Sequence, residues 1–217
     1  MNATAHANAA APRERQDDDT FADRTADLGM WIFLVTELLF FGALLFAYLD
    51  GRIHWPDGFG VASRRTDVLV GTINTAVLLS SSALVALAVA AAHEPHRRRL
   101  VARLLYASAA LGVVFLALKG YEYAEDWHER LLPGARFDLA GTPGAELFFM
   151  LYFFMTSVHA LHLAVGVGLL SVFARGSARD RPWANARRIH VAGLYWHFVD
   201  VVWIFLYPLI YLVSRHG

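Results

Sequence analysis

Five long apolar stretches, separated by short polar or turn-forming connections, dominate the chain. They cover residues 29–48, 68–92, 100–123, 146–173 and 191–214. Each is near or above the ~20 residues a helix needs to cross the hydrocarbon of a bilayer. In lipid such a segment must satisfy every backbone N–H and C=O internally, so each is predicted to be a helix. The expected fold is all-α, a polytopic membrane protein built as a bundle of five transmembrane helices. Residues 1–28 are alanine-rich and then charged, without the apolar centre of a secretory signal. They are expected to be a disordered cytoplasmic tail, with residues 29–217 forming one five-helix domain.

Charge adds a direction to this layout. Twelve arginines lie in the tail and in the second–third and fourth–fifth connections, against six in the other connections and at the C-terminus. The positive-inside rule then predicts a cytoplasmic N-terminus and an outside C-terminus. Trp31, Trp55, Trp127, Trp183 and Trp196 fall near predicted interfaces, where aromatic belts form. The second segment is rich in Ser and Ala, and Gly166 and Gly168 lie in the fourth, which suits close helix packing. Pro133, Gly134, Gly141, Pro143 and Gly144 make 125–145 an ordered surface loop. The composition, 57% hydrophobic and 18% charged, belongs to the membrane class. Zero net charge gives no reason to expect a nucleic-acid partner. The absence of cysteine excludes disulfides, thiolate-held zinc, iron–sulfur clusters and a thiol nucleophile.

Candidate chemistry is confined to ionisable groups inside the spans. The last segment contains Tyr195-Trp196-His197-Phe198-Val199-Asp200-Val201-Val202-Trp203. A carboxylate there costs roughly 3 kcal/mol on insertion scales, so Asp200 requires a partner or a purpose. His197 and Asp200 are three apart and share a face, where imidazole and carboxylate could meet. Trp196, Asp200, Trp203 and Tyr207 form one stripe. Glu37, near the middle of the first span, is either hydrogen-bonded to a neighbouring hydroxyl or a proton-linked or lipid-facing group. At ~1.5 Å rise per residue, Glu37 and Asp200 lie roughly 12–14 Å from the arginine-rich ends of their helices, and His197 about 9 Å. Ser82 and His162 come to about 15 and 16 Å, which would allow one polar belt.

His159 and His162 also share a face. They could ligate a b-type haem axially, or bond across helices as satisfied core histidines. A di-iron site would need glutamate–x–x–histidine spacing, which neither has. Lys119 and Glu122 suit an intrahelical ion pair with the lysine snorkelling to the interface, or a proton exit route. Glu125, Asp126, His128 and Glu129 read as a solvated charge run rather than a metal site.

Together these residues carry a resemblance to subunit III of the haem-copper (cytochrome c) oxidases. Tyr195 to Trp203 resembles that family's closing signature. Thr36-Glu37-Leu38-Leu39-Phe40-Phe41 resembles its serine–glutamate motif and puts Glu37 at the family's membrane-buried glutamate. Ile73-Asn74-Thr75, Glu122-Tyr123-Ala124-Glu125 and Phe154 through His162 resemble further motifs in the same order. The resemblance implies a non-catalytic accessory subunit in a bacterial inner (plasma) membrane, with no cofactor or metal held by this chain. Haem and copper are then expected in catalytic subunit I, with subunit II also a partner, and phospholipid is a possible ligand. Glu37, His159, His162, His197, Asp200, Lys119 and Glu122 become buried structural or proton-linked groups. Long members of the family have seven helices, so the lipid cleft here would need a wall from another subunit. Lys119 beside Glu122, and Tyr152-Phe153-Phe154, look more like short bacterial relatives, which include a protein associated with nitric oxide reductase. That is the alternative reading. A stand-alone cytochrome and a transporter are the remaining competitors, and the lack of internal repeats counts against the transporter.

Overall fold

The computed structural model describes residues 28–134 and 137–212, the Pro95 side chain apart, so the expected disordered tail lies outside the described residues up to position 27. Helix α1 (Ala3–His54) is followed by the short α2 (Pro56–Ser63), then α3 (Val68–Ala91) and α4 (Arg98–His128). After a loop come α5 (Ala145–Ala178) and α6 (Ala186–Tyr207), which continues into a π-helical turn, Pro208–Leu212. No strand occurs among the described residues. Five helical segments are long and apolar enough to cross a membrane: Leu28–His54, Val68–Ala91, Arg98–His128, Ala145–Ala178 and Ala186–Leu212. The predicted spans are all present. Helices α4 and α5 each run five residues past the apolar stretch that announced them, because a helix does not stop where hydrophobicity does.

The chain forms two compact units, Met1–Leu39 and Phe40–Gly217, divided inside α1. In the second unit α3 packs on α4, α4 on α5, α5 on α6, and α6 back on α3. The result is a ring of four helices. Asp67 caps α3, its Oδ1 accepting from the N–H groups of Leu69 (2.8 Å) and Val70 (3.2 Å). Asn185 caps α6 by accepting from Arg188 N–H (2.9 Å). Both offset donors that every helix start leaves without intrahelical partners.

Trp196 occupies the middle of the ring and is fully buried. A Cβ on Gly112 of α4 would lie 2.8 Å from Trp196 Cη2, and one on Gly166 of α5 would lie 3.0 Å from its Cε3. The indole therefore fits only because both facing helices present glycine. Its Nε1 donates to Ser81 Oγ on α3 (3.1 Å), so one side chain touches the three other helices. One level away, Trp203 donates to Thr75 Oγ1 (3.0 Å) and meets the rings of Phe115 and His159. The tryptophan stripe is a packing face.

The end of the bundle carrying α2 is closed by aromatic rings: Phe59 of α2 packs edge-on against Tyr48 and Phe148. Gly58 lies against the loop before α5, where an added Cβ would meet the Pro143 carbonyl oxygen at 2.0 Å. Leu131 and Phe137 are buried, and Arg65 reaches Asp138 (3.4 Å) and Glu129 (3.9 Å). The predicted ordered loop is thereby tied to the bundle.

Candidate functional site

Toward the α2 end, α4 carries Lys119, Glu122 and Asp126 at positions i, i+3 and i+7, hence on one face. All three are buried, with relative exposures of 2%, 3% and 6%. The predicted intrahelical pair exists, Lys119 Nζ lying 3.0 Å from Glu122 Oε2, but the lysine does not snorkel. It points into the bundle because α5 and the π turn supply acceptors there. Nζ also donates to Tyr152 Oη (2.9 Å) and Tyr211 Oη (2.7 Å), which uses all three ammonium protons. It stands 4.5 Å from the centroid of the Tyr152 ring, within cation–π range.

The carboxylate side is equally engaged. Glu122 Oε1 accepts from Tyr211 Oη (2.6 Å) and from Tyr152 Oη (2.8 Å). Tyr152 Oη also lies 3.2 Å from Asp126 Oδ2. Tyr152 has one proton for two carboxylates, so it can serve Glu122 or Asp126 but not both at once. The cluster thus sets two acids and two phenols around one ammonium in a dry environment. It fastens α4, α5 and the end of α6 together. Asp126, read from sequence as part of a solvated run, is buried in this cluster instead.

The sequence offered a signal for Asp126 in its four-residue and seven-residue spacing from Glu122 and Lys119. Tyr152 lies within a span, where a phenol needs a partner. Tyr211 had no usable signal. It follows Pro208, and the π turn shifts its direction from the one a regular helix would give.

The remaining candidates are separated. His197 does not meet Asp200; its Nδ1 is 2.7 Å from Ser82 Oγ on α3. The ring nitrogen is taken by a hydroxyl across the helix interface. Asp200 is 3% exposed, and neither carboxyl oxygen has a hydrogen-bond partner among the described residues. His159 is likewise buried without a hydrogen bond, packed against Phe115 and Trp203 at ring separations of 5.7 and 5.2 Å. His162 takes a different course: Nδ1 engages Val158 O (2.8 Å), and the ring sits edge-on to Phe41 (5.5 Å). The two histidines are therefore aromatic packing elements with different surroundings. Glu37 lies on α1 in the first unit, Met1–Leu39. Among the described residues, no group of three or more His, Asp or Glu side chains is placed to hold a metal ion.

The family model for cytochrome c oxidase subunit III matches residues 14–215. A cytochrome c oxidase subunit 3 from Thermostichus vulcanus is 34% identical over 194 residues, 87% of each chain. A quinol oxidase subunit 3 from Bacillus spizizenii is 29% identical over the full length of both chains. A haem-copper oxidase subunit I+III from Aeropyrum pernix is 30% identical over 197 residues, 85% of this chain and 22% of that longer protein. With the family model spanning nearly all of the helical bundle, the chain belongs to the cytochrome c oxidase subunit III family, the accessory membrane subunits of haem-copper oxidases.

Proposed function

We propose that this chain sits beside the catalytic subunit of a bacterial haem-copper oxidase, where it stabilises that subunit and sustains its proton uptake. The observation that carries this reading is the Aeropyrum pernix relative, whose name joins subunits I and III in one chain. A fusion of that kind is tolerated where the two parts already pack together. Haem and copper then belong to the partner, and subunit II completes the assembly. The arginine distribution supports a cytoplasmic side for the span ends near residues 93–98 and 175–188, and the bacterial relatives support the plasma membrane as the location. The relatives include both cytochrome c and quinol oxidases, so the electron donor is a property of the partner subunits. Their names favour oxygen over nitric oxide as the acceptor.

The test is co-purification. The tagged full-length chain, drawn from mildly solubilised membranes, is expected to bring a haem protein that consumes oxygen. The same chain expressed alone should show no Soret band. Haem on the isolated chain would overturn the reading, and a co-purified partner that turns over nitric oxide but not oxygen would replace it with the reductase-associated one.

A further inference from the structure

From Phe40 to His54, α1 buries Phe41, Tyr48 and Gly51 and turns Phe46, Leu49 and Ile53 outward. A helix so lightly enclosed depends on the few contacts it has. Tyr48, 1% exposed, supplies one of them: its hydroxyl donates to the carbonyl oxygen of Leu209 at 2.7 Å.

Leu209 lies in the π turn Pro208–Leu212 that closes α6. Pro208 has no N–H, so the regular hydrogen-bond ladder is interrupted there and the wider turn follows. Two residues after Leu209, the fully buried Tyr211 accepts from Lys119 Nζ at 2.7 Å and donates to Glu122 Oε1 at 2.6 Å. One five-residue turn therefore holds α1 by a backbone carbonyl and α4 by a phenol. It has little room to absorb a movement at either contact. A Cβ on Gly71 of α3 would stand 3.1 Å from the rings of Tyr207 and Tyr211, so the turn rests directly against the α3 backbone. Tyr207 is also fixed to Thr72 of α3 by a hydroxyl–hydroxyl bond of 2.6 Å. Ile210, between Leu209 and Tyr211, is buried as well.

We propose that the Pro208–Leu212 turn is a conformational coupler, through which the bonding of the Lys119–Glu122 cluster sets how firmly the end of α1 is held. The coupling runs through the backbone of the turn, because the two phenols bond to different groups: Tyr48 to Leu209, Tyr211 to Lys119 and Glu122. By reciprocity, releasing α1 loosens the cluster to the same degree. The device belongs to this chain by itself and needs no partner subunit.

The experiment is backbone hydrogen exchange of the full-length chain in mild detergent, read over residues 42–54 and 119–126. Tyr211→Phe keeps the ring and removes the hydroxyl that meets the cluster. It should speed exchange in 42–54 by about threefold, the scale of one hydrogen bond between membrane helices. Tyr152→Phe takes bonds from the same Lys119 and Glu122, but from α5 rather than from the turn, and should leave 42–54 unchanged. Tyr48→Phe cuts the turn from α1, so Tyr211→Phe should add no further acceleration in that background. Tyr48→Phe alone should speed exchange in 119–126, which keeps the proposal testable if Tyr211→Phe does not fold. The proposal falls if Tyr211→Phe leaves 42–54 exchanging as in the parent, or if Tyr152→Phe speeds that segment equally, since the loosening is then global. It falls equally if the effects of Tyr48→Phe and Tyr211→Phe multiply independently, or if Tyr48→Phe leaves 119–126 unchanged.

Discussion

Replacing Lys119 with methionine keeps the length and apolar stem of the side chain while removing its charge and all three donors. Glu122 Oε2 then loses its donor at 3.0 Å, and the hydroxyls of Tyr152 and Tyr211 lose the one they accept from at 2.9 and 2.7 Å. Two acids remain buried with no cation against them. Hydrogen bonds between membrane helices average about 0.6 kcal/mol, so the two to Tyr152 and Tyr211 set a floor of about 1 kcal/mol. Breaking a buried ion pair by deleting one partner costs about 3–5 kcal/mol, which sets the ceiling. The expected loss lies between these values. Glu122→Gln leaves the ammonium with weaker acceptors and should cost less, because Gln still offers a carbonyl oxygen. The double variant removes both charges and should be more stable than the sum of the singles predicts, by about 1.5 kcal/mol or more. The assay is unfolding of the full-length chain from mild detergent by titrated sodium dodecyl sulfate, followed by tryptophan fluorescence. Additivity within about 0.5 kcal/mol would refute the coupled network. So would a Lys119→Met variant as stable as the parent.

Three other perturbations test separate parts of the structure. Gly58→Ala drives a Cβ to 2.0 Å from the Pro143 carbonyl oxygen, a backbone clash that should cost about 1–3 kcal/mol and raise protease sensitivity of the loop before α5. Trp196→Phe empties part of the bundle centre and strands Ser81 Oγ without its indole donor; a loss of about 2–4 kcal/mol is expected in the same unfolding assay, and no loss would remove Trp196 from the core. For Glu37→Gln, co-purification with the haem partner should be unchanged, while proton uptake or inactivation during turnover shifts modestly. Failure of the complex to assemble would leave Glu37 a purely structural role.

The five spans were legible because lipid leaves a long apolar segment one conformation, and five such segments occur within 217 residues. The closing signature was legible as a motif, but its internal geometry was not. Spacing put His197 and Asp200 on one face, whereas helix packing gave His197 to Ser82 on α3. Sequence periodicity knows only one helix at a time. Lys119 shows the same limit: on its own helix it reads as a snorkelling lysine, and only α5 and the π turn reveal why it stays inside. Asp126 was misread because polarity near a helix end ordinarily means water, and here the helix continues into a closed aromatic layer.

Trp196 has a consequence for the way the protein is made. The indole that fills the space between Gly112 and Gly166 belongs to α6, which follows in the chain the three helices it packs against. Until that helix arrives, α3, α4 and α5 lack the side chain that fills the slot between the two glycines and Ser81. The bundle is sealed from its C-terminal end. A nascent chain interrupted before residue 196 would therefore be recognisably unfinished to the membrane's proteases, however complete its first spans.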